Sequence, residues 1–295
     1  MMTYGAIDIG TNSCRLLIAE ICTAGRLNTI TRVLETTRIG EGVNHNLEIS
    51  REAMERTVDC LRRFAGLMQT NQVESWRAVA TSAVREAINR LEFVDLVREQ
   101  TGMPLDVLNG GEEAKLSYIG AVRGLHMDRP PLVVDLGGGS TEFVCPDLRL
   151  HLSIPLGAVR ATETDMSRDQ MLQQLQILRG WAQSSEQSLA GHRLVFVGGT
   201  ATSLVAIKKG IPEYRTELVH GETLNRGEVF DLYDLLEALP LDLRRRLPGL
   251  QPERADIINK GTLIVLAIME VLAAKEIIIS ESDILDGIIW GLTGQ

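Results

Sequence analysis

The chain has 295 residues, 44% of them hydrophobic and 23% charged, and a formal net charge of −9. That length exceeds what one compact core usually holds, so two domains are expected, and the acidic balance argues against bulk attraction to nucleic acid or to an anionic membrane. Four cysteines (Cys14, Cys22, Cys60, Cys145) with no C-x-x-C pair indicate neither a structural zinc site nor a disulfide framework, and reduced thiols fit a cytoplasmic location.

Met1-Met2-Thr3-Tyr4 lacks the basic start of a signal peptide and leads directly into three strand-like runs, Tyr4–Ile9, Arg15–Ile21 and Asn28–Leu34. A Gly/Asn/Glu-rich loop over 40–46 precedes a helix capped by Ser50, with an apolar stripe of Ala53, Val58, Leu61, Ala65 and Met68. A strand over Ser75–Ala80 then leads through Thr81-Ser82 into a second helix ending near Gly102. A short strand, Leu105–Leu108, meets Gly110-Gly111, which open a helix to about Gly124. Pro130-Pro131 mark a break, and the expected domains are 1–126 and 127–295. Strands restart at Leu132–Asp135, Glu142–Cys145 and Leu150–Ile154. A helix over much of 168–189, a strand over 193–197 and a helix after Gly198-Gly199-Thr200 follow. Helices over 227–238 and 252–274, a strand over 276–280 and a helix over 284–292 complete the chain. The apolar stretch 262–274 contains Glu270 and falls short of the roughly 20 residues of a membrane span, so it is expected as a buried helix. Strands bunched early and then alternating with helices, in both halves, predict an α/β fold with mixed sheets.

One pattern occurs twice. Ala6-Ile7-Asp8-Ile9-Gly10-Thr11-Asn12-Ser13 and Val133-Val134-Asp135-Leu136-Gly137-Gly138-Gly139-Ser140-Thr141 are each an apolar strand ending in Asp-x-Gly, followed by small residues with a hydroxyl at the same offset. The two aspartates lie about half a chain apart, which predicts two similar lobes sharing a cleft. Glycines let successive amides converge on phosphate oxygens, and an aspartate beside such a turn can hold Mg²⁺. Arg15 shares a strand face with Ser13 and is a candidate for the same phosphate. Gly198-Gly199-Thr200 is a third glycine turn at a helix start; phosphate reception and tight strand–helix packing explain it about equally. Hydrolysis of a phosphoanhydride needs a carboxylate to orient water, a metal ion and cationic donors. Of Glu112-Glu113, one is assigned to the positive helix end and Glu113 is the candidate for water; Asp8 and Asp135 are candidates for the metal, and Arg85 for phosphoryl oxygens. There is no G-x-x-x-x-G-K-[ST] loop, no G-x-S-x-G elbow and no histidine pair at metal-ligand spacing.

The two Asp-x-Gly turns and the later Gly-Gly-Thr resemble the superfamily of sugar kinases, heat-shock ATPases and actin. Within it, residues 8–15, 80–85, 110–115, 135–142, 198–200 and Leu247-Pro248-Gly249-Leu250-Gln251-Pro252-Glu253-Arg254-Ala255-Asp256 resemble the exopolyphosphatase/guanosine pentaphosphate phosphatase (Ppx/GppA) family. The resemblance implies two actin-like, ribonuclease H-like lobes and an interlobe cleft. It makes Glu113 similar to the family's catalytic glutamate, Arg85 to its active-site arginine, and Asp135 and Glu142 to the acidic pair around Mg²⁺ and the lytic water. Glu142 is reached by the resemblance only. Expected substrates are inorganic polyphosphate or, alternatively, guanosine pentaphosphate, with a non-catalytic sensor as the third reading; no nucleic-acid or membrane partner is expected, and a homodimer is left open. Where many members carry Arg-Glu-Gly, this chain has Leu285-Asp286-Gly287, a lost cation that bears on substrate preference or marks a subgroup.

Overall fold

The computed structural model describes residues 2–22, 26–127, 129–184 and 192–294. They form two compact units, Met1–Gly120 with Ile284–Gln295, and Ala121–Asp283.

The first unit is built on strands β1 (Thr3–Ile9), β2 (Cys14–Ile21) and β3 (Leu27–Glu35). There follow a one-turn helix α1 (Val43–Asn46), helix α2 (Arg51–Thr70), strand β4 (Ser75–Ala80), helices α3 (Ser82–Glu86) and α4 (Arg90–Thr101), strand β5 (Asp106–Val107) and helix α5 (Gly110–Leu125). The sheet order is β3-β2-β1-β4-β5. β1, β2 and β3 pair antiparallel, and β4 and β5 run parallel to β1. Both faces of β1 are covered, so its sequence reads as a continuous apolar run broken by Asp8. Ile7 and Ile9 join the core with Phe64 of α2 and Phe93 of α4. Ala6 joins Leu17, Leu116 and the last helix of the chain on the opposite face, and alternation places Asp8 on that face.

The second unit repeats this order. β6 (Leu132–Leu136), β7 (Thr141–Cys145) and β8 (Leu150–Ile154) pair antiparallel. Helices α6 (Ala158–Glu163), α7 (Arg168–Gln174) and α8 (Gln176–Ser184) lead to β9 (Leu194–Val197), helix α9 (Gly199–Lys209) and β10 (Thr223–Asn225). Then come α10 (Arg226–Ala238), α11 (Leu241–Arg244), α12 (Ile258–Val271) and β11 (Glu276–Ile279). The order β10-β11-β9-β6-β7-β8, with β9 and β11 parallel to β6, is that of the first sheet plus one antiparallel edge strand. Two mixed sheets of one topology are the two halves of an actin-like α/β fold. The closing helix, α13 (Ile284–Leu292), packs on β1, β2 and β4 of the first unit.

Several elements differ from expectation. The helix expected to run from Ser82 to Gly102 is two helices, because Ala87 turns extended and the Asn89 side chain both accepts from and donates to the Ile49 backbone. The helix expected over 168–189 breaks at Leu175, and its last part, 185–189, lies outside the described residues. Residues 252–254 form a 3₁₀ turn separate from α12. The core of α12, Gly261 to Met269, is buried, and no helix among the described residues is long and apolar enough to cross a membrane. Leu285, where the resemblance implies a cation in many members, is fully buried in the core with Ala6, Leu17 and Ile289. The neighbouring Asp286 accepts a 2.9 Å bond from Arg32 on β3.

Candidate functional site

In each unit the sequence-derived residues gather at the carboxyl ends of the parallel strands, where open α/β sheets bind ligands. In the first unit, β1 runs into the turn at Gly10–Ser13, β4 into Thr81 and α3, and β5 through Leu108 into α5. Backbone bonds tie these ends together: Thr81 N–H donates to the Ile9 carbonyl at 3.2 Å and Leu108 N–H to the Ala80 carbonyl at 2.9 Å. Arg85 on α3 and Glu113 on α5 thus emerge from neighbouring strands. Arg85 Nη1 donates to Glu113 Oε2 at 2.7 Å and to the Leu108 carbonyl at 3.0 Å, which holds the two side chains in one geometry. Glu113 is 8% exposed.

The adjacent acid is used differently. Asn109 Oδ1 accepts from the Glu112 amide at 3.0 Å, and the Asn109 amide donates back to the Glu112 carboxylate at 3.2 Å, a reciprocal helix cap. Glu112 therefore starts the helix, and Glu113 faces Arg85.

The two duplicated turns have one geometry. Gly10 N–H donates to the Ser13 carbonyl and Gly137 N–H to the Ser140 carbonyl, both at 3.0 Å. In turn one the Thr11 and Asn12 carbonyls accept from the amides of Gly40 and Arg38. In turn two the Gly137 and Gly138 carbonyls accept from the first amides of α6, Ala158, Val159 and Arg160, and the Gly139 carbonyl accepts from Arg160 Nε at 2.7 Å. The amides of Thr11–Ser13 and of Gly138–Ser140 lie along the two turns and are the candidate phosphate donors of each. The glycines serve packing as well. A Cβ on Gly157 would lie 2.4 Å from the Gly138 carbonyl, and one on Gly40 would lie 2.3 Å from the Thr11 methyl.

The side chains seven residues after each aspartate have opposite charge. Asp8 pairs in register with Arg15, which donates from Nε (3.1 Å) and Nη2 (2.6 Å) to Asp8 Oδ2. Arg15, expected at phosphate, is thus a partner of Asp8 in this structure, and Asp8, expected at the metal, is charge-balanced by it. Asp135 pairs in register with Glu142, two acids on one face of β6 and β7. Glu142 is 1% exposed, and its Oε1 accepts from Ser140 Oγ at 2.7 Å and from Ser153 Oγ at 2.8 Å. Only this second pair has the donor chemistry for Mg²⁺: hard carboxylate and hydroxyl oxygens. Among the described residues no three His, Cys, Asp or Glu side chains converge as a metal-binding group. A cation here would be completed by water and phosphate oxygens, as Mg²⁺ prefers.

Other expected contacts have structural duties. Thr141 is fully buried and donates its hydroxyl to the Leu156 carbonyl. Thr200 packs where Gly261 of α12 leaves no room for a Cβ, 2.6 Å from the Thr200 hydroxyl. Asn12 Nδ2 donates to Ser13 Oγ at 3.2 Å. Gly198, at φ 96°, closes to 2.5 Å (from a would-be Cβ) on the Leu136 carbonyl and 3.4 Å on Asp135 Oδ1, so the third glycine turn packs against the Asp135 strand end.

Two residues at this third turn were given no role from sequence. The Arg254 guanidinium lies over Gly199, where a Cβ would come within 2.0 Å of Nη1. Tyr214 bonds through its hydroxyl to the Glu281 carboxylate; burial first, then the Glu281 charge, pushes the phenol up. Basic side chains of the second unit make local bonds. Arg244 donates to the carbonyls of Leu236, Leu239 and Ala255, and Lys208 and Lys209 pair with Glu228 and Glu222.

Comparison with known proteins supplies the family. The model of the Ppx/GppA phosphatase family matches residues 17–295. Exopolyphosphatase 2 of Mycobacterium tuberculosis is 33% identical over 98% of this chain and 98% of its own length. A bifunctional 3-dehydroquinate synthase/phosphatase of Fusobacterium nucleatum is 31% identical over 96% of this chain, which spans only 46% of that protein. The crystal structure of the Aquifex aeolicus member of the Ppx/GppA family superposes with a TM-score of 0.79 at 28% identity, covering 98% of this chain and 97% of that one. The chain therefore belongs to the Ppx/GppA phosphatase family, a family of enzymes that hydrolyse phosphoanhydride bonds.

Proposed function

We propose that this protein is a Mg²⁺-dependent exopolyphosphatase that removes terminal phosphates from inorganic polyphosphate. The observation that carries the reading is the Glu113–Arg85 pair at the carboxyl ends of β4 and β5: a nearly buried carboxylate fixed by a guanidinium. Glu113 orients the attacking water and accepts its proton. Arg85, a planar donor, meets the developing charge on the transferred phosphoryl group. The amides of both glycine turns bind non-bridging phosphate oxygens. Asp135 and Glu142 are the residues that would hold Mg²⁺, which supplies charge neutralisation on the phosphate. Orthophosphate and the shortened chain leave.

Glu113→Gln is expected to keep the fold and polyphosphate binding while turnover falls by about two to four orders of magnitude. A phosphate-release assay with short and long polyphosphate, with and without MgCl₂, checks this; near-normal turnover in the variant removes Glu113 from the mechanism.

A second substrate, guanosine pentaphosphate, is favoured by the third turn. There an aromatic ring (Tyr214), a carboxylate (Glu281) and a guanidinium (Arg254) surround the start of α9, groups that suit a nucleoside better than bare phosphate. The ratio of kcat/KM for the two substrates decides between them.

A further inference from the structure

Asp135, Glu142 and Ser153 form one cross-strand row: Asp135 opposes Glu142 on β7, and Glu142 opposes Ser153 on β8. β8 is an edge strand and Ser153 is exposed, so the packed core does not explain a serine there. Its hydroxyl donates to the same Glu142 oxygen as does Ser140. These two donors differ in one respect. Ser140 belongs to turn two, whose amides are offered to phosphate, whereas Ser153 stands outside every glycine turn. A serine hydroxyl has one proton and can donate to one acceptor at a time. When phosphate occupies turn two, Ser140 can serve it only by leaving Glu142.

We propose that Ser153 is a positioning residue: it keeps the Glu142 carboxylate in its working orientation while the Ser140 hydroxyl transfers its bond to an incoming phosphate oxygen. The proposal rests on the role assigned above to Glu142. Ser140 then contributes to substrate binding, and Ser153 to the geometry of the step that follows.

Kinetics of the full chain with short polyphosphate and MgCl₂ separate the two serines. Ser153→Ala is expected to lower kcat about tenfold, the usual cost of removing a supporting hydrogen bond, with KM changed less than about twofold. Ser140→Ala is expected to raise KM. Ser153→Thr, which keeps the hydroxyl and suits a strand, restores turnover. Independently of activity, the rise in thermal midpoint on adding MgCl₂ without substrate should shrink in Ser153→Ala, while the metal-free midpoint stays at the parent value. Wild-type turnover in Ser153→Ala, or a loss that threonine does not restore, overturns the positioning role. If Glu142→Gln is inactive in that case, the proposed function stands; if Glu142→Gln is active, the role of Glu142 itself has failed.

Discussion

Arg85 is the residue on which the first unit's chemistry turns, because its guanidinium donates directly to Glu113 Oε2. Removing it takes a charged donor from a carboxylate that is 8% exposed and removes a donor to the phosphoryl group. Arg85→Ala is therefore expected to lose about 100-fold or more in kcat and about 1–3 kcal/mol of stability. The stability part should shrink when Gln replaces Glu113, since a neutral amide depends less on the cation; urea unfolding of the single and double variants measures it. At this scale the sequence was partly legible. Glu112 and Glu113 look alike in a helix's first turn, but Asn109 three residues before Glu112 is a capping signal, and it separates them. The Asp8–Arg15 pair follows from hairpin register, which needs the strand ends to within one residue. Ser153 left no signal, since nothing local to β8 says which residue of β7 it will face.

Between elements, α6 makes a close backbone contact with turn two. Gly157 lets the helix start directly on the Gly138 carbonyl. Gly157→Ala is expected to push α6 off the turn, costing about 1–3 kcal/mol and raising KM for polyphosphate, with kcat less affected; thermal unfolding and steady-state kinetics check both effects. The α6 helix itself was not foreseen. It is six residues long, and it is held by bonds from its first amides to glycine carbonyls rather than by a local cap. The break between α3 and α4 has the same kind of origin, a side chain from Asn89 captured by the distant Ile49 backbone. Periodicity records which face of an element is apolar, and so it finds long helices and buried strands. It does not record where a tertiary bond interrupts them.

For the molecule as a whole, the duplicated Asp-x-Gly pattern was the most informative feature, because one strand order repeated in two units is what such a repeat specifies. The acidic net charge bears on stability in acid. Glu35 on β3 accepts from both Arg63 nitrogens across to α2, and that bond holds its carboxyl below the ordinary value of 4.5, against the opposing effect of partial burial. A carboxyl lowered on folding stabilises the fold above its unfolded value and loses that contribution as pH falls through the folded one. Arg63→Gln should thus cost no more than about 1 kcal/mol at neutral pH, since the pair is largely solvated. The gap to the parent chain should close as acid protonates Glu35, which unfolding titrations from pH 7 to pH 3 would show.

The bonds from α6 to turn two reach further than anchorage. A peptide group is a single polarisable unit, and each carbonyl that accepts a bond makes its own N–H more positive. The three carbonyls engaged by α6, those of Gly137, Gly138 and Gly139, share peptide planes with the amides of Gly138, Gly139 and Ser140. One of the four bonds comes from a full positive charge, on Arg160. The helix thereby sharpens the electrophilic side of the loop from behind, and an oxyanion could sense the Arg160 cation without touching it.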